Sequence, residues 1–333
     1  MRLSQCHNFH DFRELARRRL PGPIFNYIDG GADDEATLRH NSAAFDRVDL
    51  LPHVLRGSEE IDLSVEVMGQ KLDLPFYLSP TALQRLFHHD GERAVAAAAS
   101  KNGTMFGVSS LGTVSLEELR KKYSTPQVYQ FYFHKDRGLN KAMMQRAKEA
   151  GVDVMMLTVD SMTGGNRERD KRTGFSIPMK LTLRGMMEFA LKPAWGINYV
   201  THEKFSLPQL DEHVDLGGGA MSIGSYFTEM LDPTMNWDDL AFDELGAIVD
   251  AVGDDLDVIM DSGIQRGTHI IKALSMGAKA VGVGRAYLFP LAAAGQAGVE
   301  RMVELMREEL IRDMRLMGAA KISDLNRDNL RFR

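Results

Sequence analysis

Short apolar runs alternate with stretches of helical spacing along much of this chain. Between His10 and Leu20, residues Phe12, Leu15 and Leu20 fall on one side of a helix, and Arg17, Arg18 and Arg19 fill its last turn. Basic side chains there suit the negative end of the helix dipole. Pro21 and Pro23 stop this helix, and Gly30-Gly31 breaks the next segment. From residue 74 a rhythm sets in. Leu74 to Leu78, Thr104 to Val108, Val128 to Phe133 and Val152 to Leu157 are apolar runs of strand length, each ending in small or polar residues. Between them lie the helical patterns Glu92 to Lys101, Ser115 to Lys122 and Gly138 to Ala150. Ser115 with Glu118 predicts a capping box. Alternation of this kind predicts βα units and a parallel sheet.

Residues 161–236 break the rhythm, with Gly217-Gly218-Gly219, many polar residues and no strand pattern. Such a length exceeds an ordinary connection and reads as an insertion over an active site. A helix is expected from Asn236 to Val252, a fifth strand from Asp257 to Met260, a helix from Thr268 to Met276, a sixth strand from Ala280 to Val283, and a closing helix from Ala293 to Met317. A (β/α)8 barrel needs eight strands and carries its chemistry where they end. The polar strand ends here are Ser109, Gln130, Tyr132, Thr158, Asp160, Asp261 and Gly284-Arg285.

Composition narrows the function classes. Forty Lys and Arg against 46 Asp and Glu give a net charge of −6 over 333 residues. That balance offers no polycation for a phosphate backbone, so no nucleic-acid partner is expected. Apolar residues make up 44% and charged residues 26%, which fits a globular core rather than a disordered chain. The single cysteine, Cys6, excludes an intrachain disulfide framework and any cysteine-based metal cluster. No run reaches the ~18 apolar residues of a membrane span. The first residues lack an apolar signal core and the last carry no lipidation signal, so a cytoplasmic location is expected.

Taken in order, the motifs Tyr27-Ile-Asp-Gly-Gly-Ala-Asp-Asp-Glu-Ala-Thr37, Ser79-Pro-Thr-Ala82, Val108-Ser-Ser110, Gln130-Phe-Tyr132, Leu157-Thr-Val-Asp160, Gly165-Asn-Arg-Glu-Arg-Asp170 and Gly284-Arg285 resemble those of the FMN-dependent α-hydroxy-acid dehydrogenase/oxidase family. The resemblance runs from the first helix to the last. It implies a TIM-barrel fold, FMN as cofactor, and oxidation of an (S)-2-hydroxy acid, L-lactate foremost, to the 2-oxo acid with quinone or oxygen as acceptor. It also implies that Pro80, Thr81 and Ala82 lie along the flavin through their backbone, and that Ser109, Gln130 and Thr158 hydrogen-bond the isoalloxazine ring. Gly284 and Arg285 would grip the phosphate, with Asp261, Gly263 and Arg266 in the neighbouring phosphate loop. A backbone nest plus a guanidinium suits a dianion. Tyr27, Tyr132 and Arg167 would hold the substrate, Arg167 as a bidentate partner of its carboxylate. Tyr132 and Asp160 are the catalytic candidates, Asp160 as the carboxylate that orients a base histidine.

Two family motifs have no counterpart. One places a lysine near flavin N1 and O2; the other, Ser-Asn-His-Gly-Gly-Arg, supplies the base histidine and a substrate arginine. After Asn236-Trp-Asp-Asp-Leu-Ala241 the chain passes directly to Phe242-Asp-Glu-Leu-Gly-Ala-Ile-Val249. About fifty residues are absent, the length of two barrel units. The expected fold is therefore α/β, derived from a TIM (β/α)8 barrel, and lacks barrel strands 5 and 6. As one domain it divides into an N-terminal helical cap (1–73), strands 1–4 (74–160), the insertion (161–236), and the last barrel units with the C-terminal helix (237–333). His88, His89, His134, His202, His213 and His269 all lie outside the missing motif. Asp261-Ser-Gly-Ile-Gln-Arg266 replaces the usual Asp-Gly-Gly-x-Arg-Arg, so Gln265 stands where a phosphate-binding arginine is expected.

Blander readings stand beside these. Tyr27 and Tyr132 alone read as core packing. Arg167 alone reads as one of the solvated charges of Arg167-Glu-Arg-Asp-Lys-Arg172. His88-His89 reads as structural, since no carboxylate cluster with metal spacing accompanies it, and no metal site is expected. The 20 methionines read as core filler. The apolar stretch Leu181 to Val200 suits either a helix packed over the flavin or peripheral docking on the inner membrane face. Leu111 after Ser109-Ser110 points to small aliphatic acids. Family analogy adds a homo-oligomer. The rival function is a non-catalytic flavin-binding or partner-binding remnant.

Overall fold

The computed structural model describes residues 2–57, 59–159, 164–175, 183–203, 205–210, 229–234 and 257–333. Asp160, Gly217-Gly218-Gly219 and the helix expected from Asn236 to Val252 lie outside the described residues.

All six expected strands form, each bound within two residues of its prediction. In the numbering that counts three short outer strands first, they are β4 (Phe76–Leu78), β5 (Phe106–Ser109), β6 (Gln127–Tyr132), β7 (Val154–Thr158), β8 (Ile259–Asp261) and β9 (Ala280–Val283). Every neighbouring pair is parallel, in the order β7-β6-β5-β4-β9-β8. The first strand of this sheet therefore pairs with the last, Phe76 opposite Val281 and Leu78 opposite Val283. First-to-last pairing is how a barrel closes, whereas an open doubly wound sheet keeps its last strand at an edge. Among the described residues the sheet's two free edges are β7 and β8, so the ring is cut between the fourth and fifth of its six strands. Burial follows the cut. β4, β5 and β9 are buried throughout, while every residue of β7 is only half-buried and β8 runs out to an exposed Asp261.

Helices cover the outside. α1 (Phe9–Arg19) starts at Asn8, whose side chain accepts the N–H groups of His10 and Asp11. α2 (Gly22–Asp29) carries Pro23 in its first turn, where a missing N–H costs nothing. α3 (Ala36–Ala43) completes the cap. α4 (Glu92–Lys101), α5 (Leu116–Lys122) and α6 (Arg137–Glu149) are the crossover helices. Only half of the expected capping box forms. Ser115 accepts the Glu118 N–H, but the Glu118 carboxylate is taken by Arg93 at 2.6 and 2.8 Å. Within 161–236 lie α7 (Glu168–Thr173), α8 (Leu183–Ala190) and α9 (Pro193–Thr201). α10 (Gly267–Ser275) follows β8.

The closing helix begins earlier than its pattern predicts. α11 runs from Arg285 to Met317, broken at Ala294 and Gly295, the latter with φ +58°. The expected start at Ala293 marks this break. Pro290 and the all-apolar first segment hid the earlier turns, because a helix buried on every side has no polar face to give it a period. α1 packs along α11.

Four short strands went unpredicted. β2 (Val65–Val67) and β3 (Gln70–Leu72) form a hairpin through Met68 and Gly69, both with positive φ. Val67 and Leu72 join Tyr77, Met105, Val128 and Ala280 in a separate buried cluster, which plugs the N-terminal mouth of the sheet. β1 (Val48–Leu50) pairs antiparallel with β10 (Leu330–Phe332).

Glycines allow the close approaches at the other mouth. A Cβ on Gly107 of β5 would lie 2.5 Å from the Pro80 nitrogen. Gly107→Ala is expected to cost about 1–3 kcal/mol by overpacking. A urea midpoint falling with an unchanged slope would bear this out; an unmoved midpoint would mean that the Pro80 segment yields.

Candidate active site

Because every strand is parallel, all six C-terminal ends open on one mouth. Across β5, β6 and β7 the expected ring-holding residues form one hydrogen-bonded row. Ser109 Oγ donates to Gln130 Oε1 at 3.0 Å, and Gln130 Nε2 donates to Thr158 Oγ1 at 2.7 Å. Register builds the row: Ser109 faces Gln130, and Thr158 faces Tyr132 two residues further on. The amide of Gln130 is thereby held in one orientation. On the opposite side Ser79 Oγ donates to Asp261 Oδ2 at 2.6 Å, passing over β9. Gly282 lies under this bond, and a Cβ there would be 2.6 Å from Ser79 Oγ.

The Ser79-Pro-Thr-Ala82 stretch is clamped by a residue that the sequence reading missed. Tyr287, fully buried in the first turn of α11, donates its phenol proton to the Ser79 carbonyl at 2.7 Å. Its oxygen pairs with Thr81 Oγ1 at 2.6 Å and accepts from Gln84 Nε2 at 3.1 Å. Burial raises the phenol far above its usual pKa, so it remains a donor. Gly284 caps α11, and a Cβ there would meet nothing within 4 Å. That open space at a helix N-terminus is a cradle for an anion.

Arg285 stands beside it, half-buried. Its Nε donates to Ile28 O and its Nη2 to Gly30 O, both at 2.9 Å. Burial first, and then the nearby Arg167, pull its pKa below the usual guanidinium value. Arg167 reaches the same Gly30 carbonyl at 3.5 Å, bonds the Tyr27 carbonyl, pairs with Asp170 at 2.6 Å, and lies over the Tyr27 ring at 5.1 Å. Arg167 is therefore no solvated member of its charge run. The Tyr27 ring stacks on Phe175 at 4.6 Å. Burial pushes its phenol up, with Arg167 opposing, so Tyr27 is a neutral donor.

Arg266, a phosphate-loop candidate, points elsewhere, and so does Gln265 beside it. Arg266 Nη1 is paired with Glu309 of α11 at 2.8 Å, on the helical layer. Gln265 Nε2 donates to Ser42 at 2.9 Å. Gly263, at φ +74°, sits against the α3 backbone at Asn41, which no side chain could replace. The residues thus fit a flavin ring at the Ser109–Gln130–Thr158 row and an anion at Gly284 and Arg285, with Arg285 as the one strand-end arginine brought there among the described residues.

Asp29 docks the segment before and within α7 onto α2. It accepts from Arg13 and, at 2.8 Å, from Arg169, while Arg169 Nη2 reaches Glu35 at 2.7 Å. Burial alone would raise the Asp29 carboxyl; Arg13 and Arg169 overcome it and hold the pKa below the usual range. A depressed carboxyl contributes stability that is present above its unfolded value, about 3.9, and lost as pH falls through the folded one. Asp29→Asn is therefore expected to flatten the acid side of the stability–pH curve in urea melts; an unchanged acid limb would refute this. Tyr287→Phe removes the clamp and strands the Ser79 carbonyl, at an expected cost of about 1–3 kcal/mol. The same urea melts at neutral pH read it.

Comparison with known proteins places this architecture. Residues 16–242 and 240–332 match the family described as FMN-dependent dehydrogenase. An L-lactate oxidase of Nostoc sp. is 34% identical over 371 positions, covering 96% of each chain. An L-lactate dehydrogenase of Xanthobacter autotrophicus is 32% identical, over 96% of this chain and 95% of that one. Glycolate oxidase 1 of Oryza sativa subsp. indica is 30% identical, over 98% and 96%. Among solved structures, the monotopic membrane protein (S)-mandelate dehydrogenase superposes with a TM-score of 0.89 at 27% identity, over 99% of this chain and 100% of that one.

Proposed function

This chain belongs to the FMN-dependent dehydrogenase family, and from that premise we propose that it keeps the flavin-holding frame of an (S)-2-hydroxy-acid oxidoreductase of L-lactate type but lacks the base that turnover needs. FMN, when bound, supplies the acceptor for the hydride equivalents of a 2-hydroxy acid. Ser109, Gln130 and Thr158 would hold its ring edge, the Pro80–Ala82 backbone its flank, and Gly284 with Arg285 its phosphate, with Asp261 and Gly263 shaping the loop between. Arg266, turned to Glu309, drops out of that set. Tyr27 and Tyr132 would donate to substrate oxygens, and Arg167 would pair with the carboxylate. Asp160 keeps the sequence position of the carboxylate that orients the base, with no motif histidine for it to orient.

The observation that carries this reading is the cut ring. β4 pairs with β9 as in a closed barrel, while the edges β7 and β8 flank the place where the family's lysine and histidine motifs belong. The comparisons support the same position. The family match falls into two parts that meet at 240–242, at the Ala241–Phe242 junction. The Nostoc alignment spreads 96% of 333 residues, about 320, over 371 positions. An internal loss of about fifty residues accounts for both, and equals two barrel units.

The acceptor is quinone or oxygen. Quinone access is supported by α8, α9 and the turn between them, which expose Met187, Leu191, Ile197 and Val200. Their other side is anchored: Trp195 Nε1 donates to Leu86 O at 2.8 Å, and Lys192 reaches the carbonyls of Arg17 and Arg18. This is a peripheral surface; among the described residues no helix is long and apolar enough to cross a membrane. A second reading, a non-catalytic flavin- or partner-binding protein, is favoured by the strand edges β7 and β8, which have no strand partner on one side among the described residues and offer backbone to another chain.

The test is the visible spectrum of the FMN-loaded chain before and after anaerobic L-lactate. A flavin spectrum that persists is expected, with any bleaching at least ~10²-fold slower than in a relative that has the base. Rapid bleaching would overturn the loss of turnover. A chain that stays colourless after loading would overturn the flavin frame.

A further inference from the structure

The loop between β4 and α4 carries a cluster outside the strand-end mouth. His88, His89 and Asp90 follow in sequence, and their ligand atoms all lie within 4.8 Å of one another. Asp90 Oδ2 is 3.5 Å from His88 Nδ1 and 3.6 Å from His89 Nε2. Both separations exceed a good hydrogen bond. They approach the edge of a tetrahedron with metal–ligand bonds of about 2.0–2.1 Å, which is roughly 3.4 Å. The histidine pair thus has the carboxylate that sequence spacing did not credit to it.

The rings are held but not satisfied. His88 fits against the break in α11, where a Cβ on Gly295 would lie 2.6 Å from its Cε1. His89 is stacked between His88 at 4.3 Å and His202 at 3.9 Å. His89 turns Nε2 toward Asp90, and its other nitrogen, Nδ1, is buried with no hydrogen-bond partner. The Asp90 N–H donates to His88 Nδ1 at a long 3.3 Å, a contact that an ion at that nitrogen would displace. Of the nearby cations, Arg85 lies 3.7 Å from Glu203 and Arg93 pairs with that carboxylate at 2.9 Å.

We propose that His88, His89 and Asp90 bind one divalent transition-metal ion of the zinc class, with His202 fixing the plane of His89 and water completing the coordination. Mixed imidazole–carboxylate sites with an open position favour Zn2+ and its neighbours over Mg2+ or Ca2+. The proposal is independent of the flavin reading. Since His202 ends α9 and His88 abuts α11, the ion would fasten the insertion to the barrel and raise the melting temperature.

The experiment takes the tag-free, chelator-stripped chain and titrates it with Zn2+ against a chromogenic zinc indicator. A single tight equivalent is expected. His89→Gln and Asp90→Asn should each weaken it by roughly tenfold or more, since even outer partners of ligands carry that much. Both side chains are part-exposed, and far-UV circular dichroism checks that each variant folds. Co2+ gives a second readout: intense tetrahedral d–d bands in the parent chain, lost in both variants. Absence of a stoichiometric equivalent, uptake that survives the double substitution, or only weak octahedral Co2+ bands would overturn the proposal.

Discussion

The pairing of β4 with β9 is the contact on which the rest of the structure depends. It joins residues about two hundred positions apart in sequence and turns two runs of βα units into one curved sheet. Without it, Ser79 and Asp261 would not share a hydrogen bond, and the Pro80 segment would not lie beside the first turn of α11. Small residues make the pairing affordable in space: Gly282 leaves room for the Ser79–Asp261 bond, and Gly107 leaves room for Pro80. Tyr287 then ties the β4 exit to α11 with a single phenol.

Much of this was legible in the chain because it is local or periodic. Each barrel strand is a short apolar run with a polar exit, and each crossover helix has a face. That polar strand ends share one mouth followed from parallel strands ending together, and the family resemblance picked Ser109, Gln130 and Thr158 out of them. What stayed hidden depends on partners far away. Arg266 sits in the right motif, yet Glu309 on another helix captures it. Glu118 leaves its capping box for Arg93, a bidentate ion pair being stronger than a reciprocal cap. The Val65–Leu72 hairpin has strands of three residues, too short for alternation to stand out. Tyr287 lies in an apolar run where nothing local marks it as polar machinery. Asp90 was visible beside two histidines, but only the backbone turn brings all three groups to one point.

The same structure explains why the N-terminal cap and the insertion act together. Asp29, Arg167 and Arg169 bind the segment after β7 to α2, with Arg167 lying over the Tyr27 ring. Arg285 bonds the same stretch of α2 from the barrel side. Three elements from distant parts of the sequence thus meet at the carbonyls of Ile28 and Gly30, where the negative end of α2 attracts two guanidinium groups at once.

The position of the cut also sets where the molecule is stiff. A closed barrel is a hoop: deforming one strand strains all of them. An open one is a clip, whose compliance grows from the middle toward its lips. Ser79 and Ser109 sit near the rigid back of this clip, while Thr158 and Asp261 sit at its two lips. At the mouth, Thr158 is braced through Gln130 and Asp261 through Ser79. Anything seated in the mouth would therefore be gripped firmly on its β4–β5 side and loosely across the gap, and its binding would be reported by how far the two lips spread.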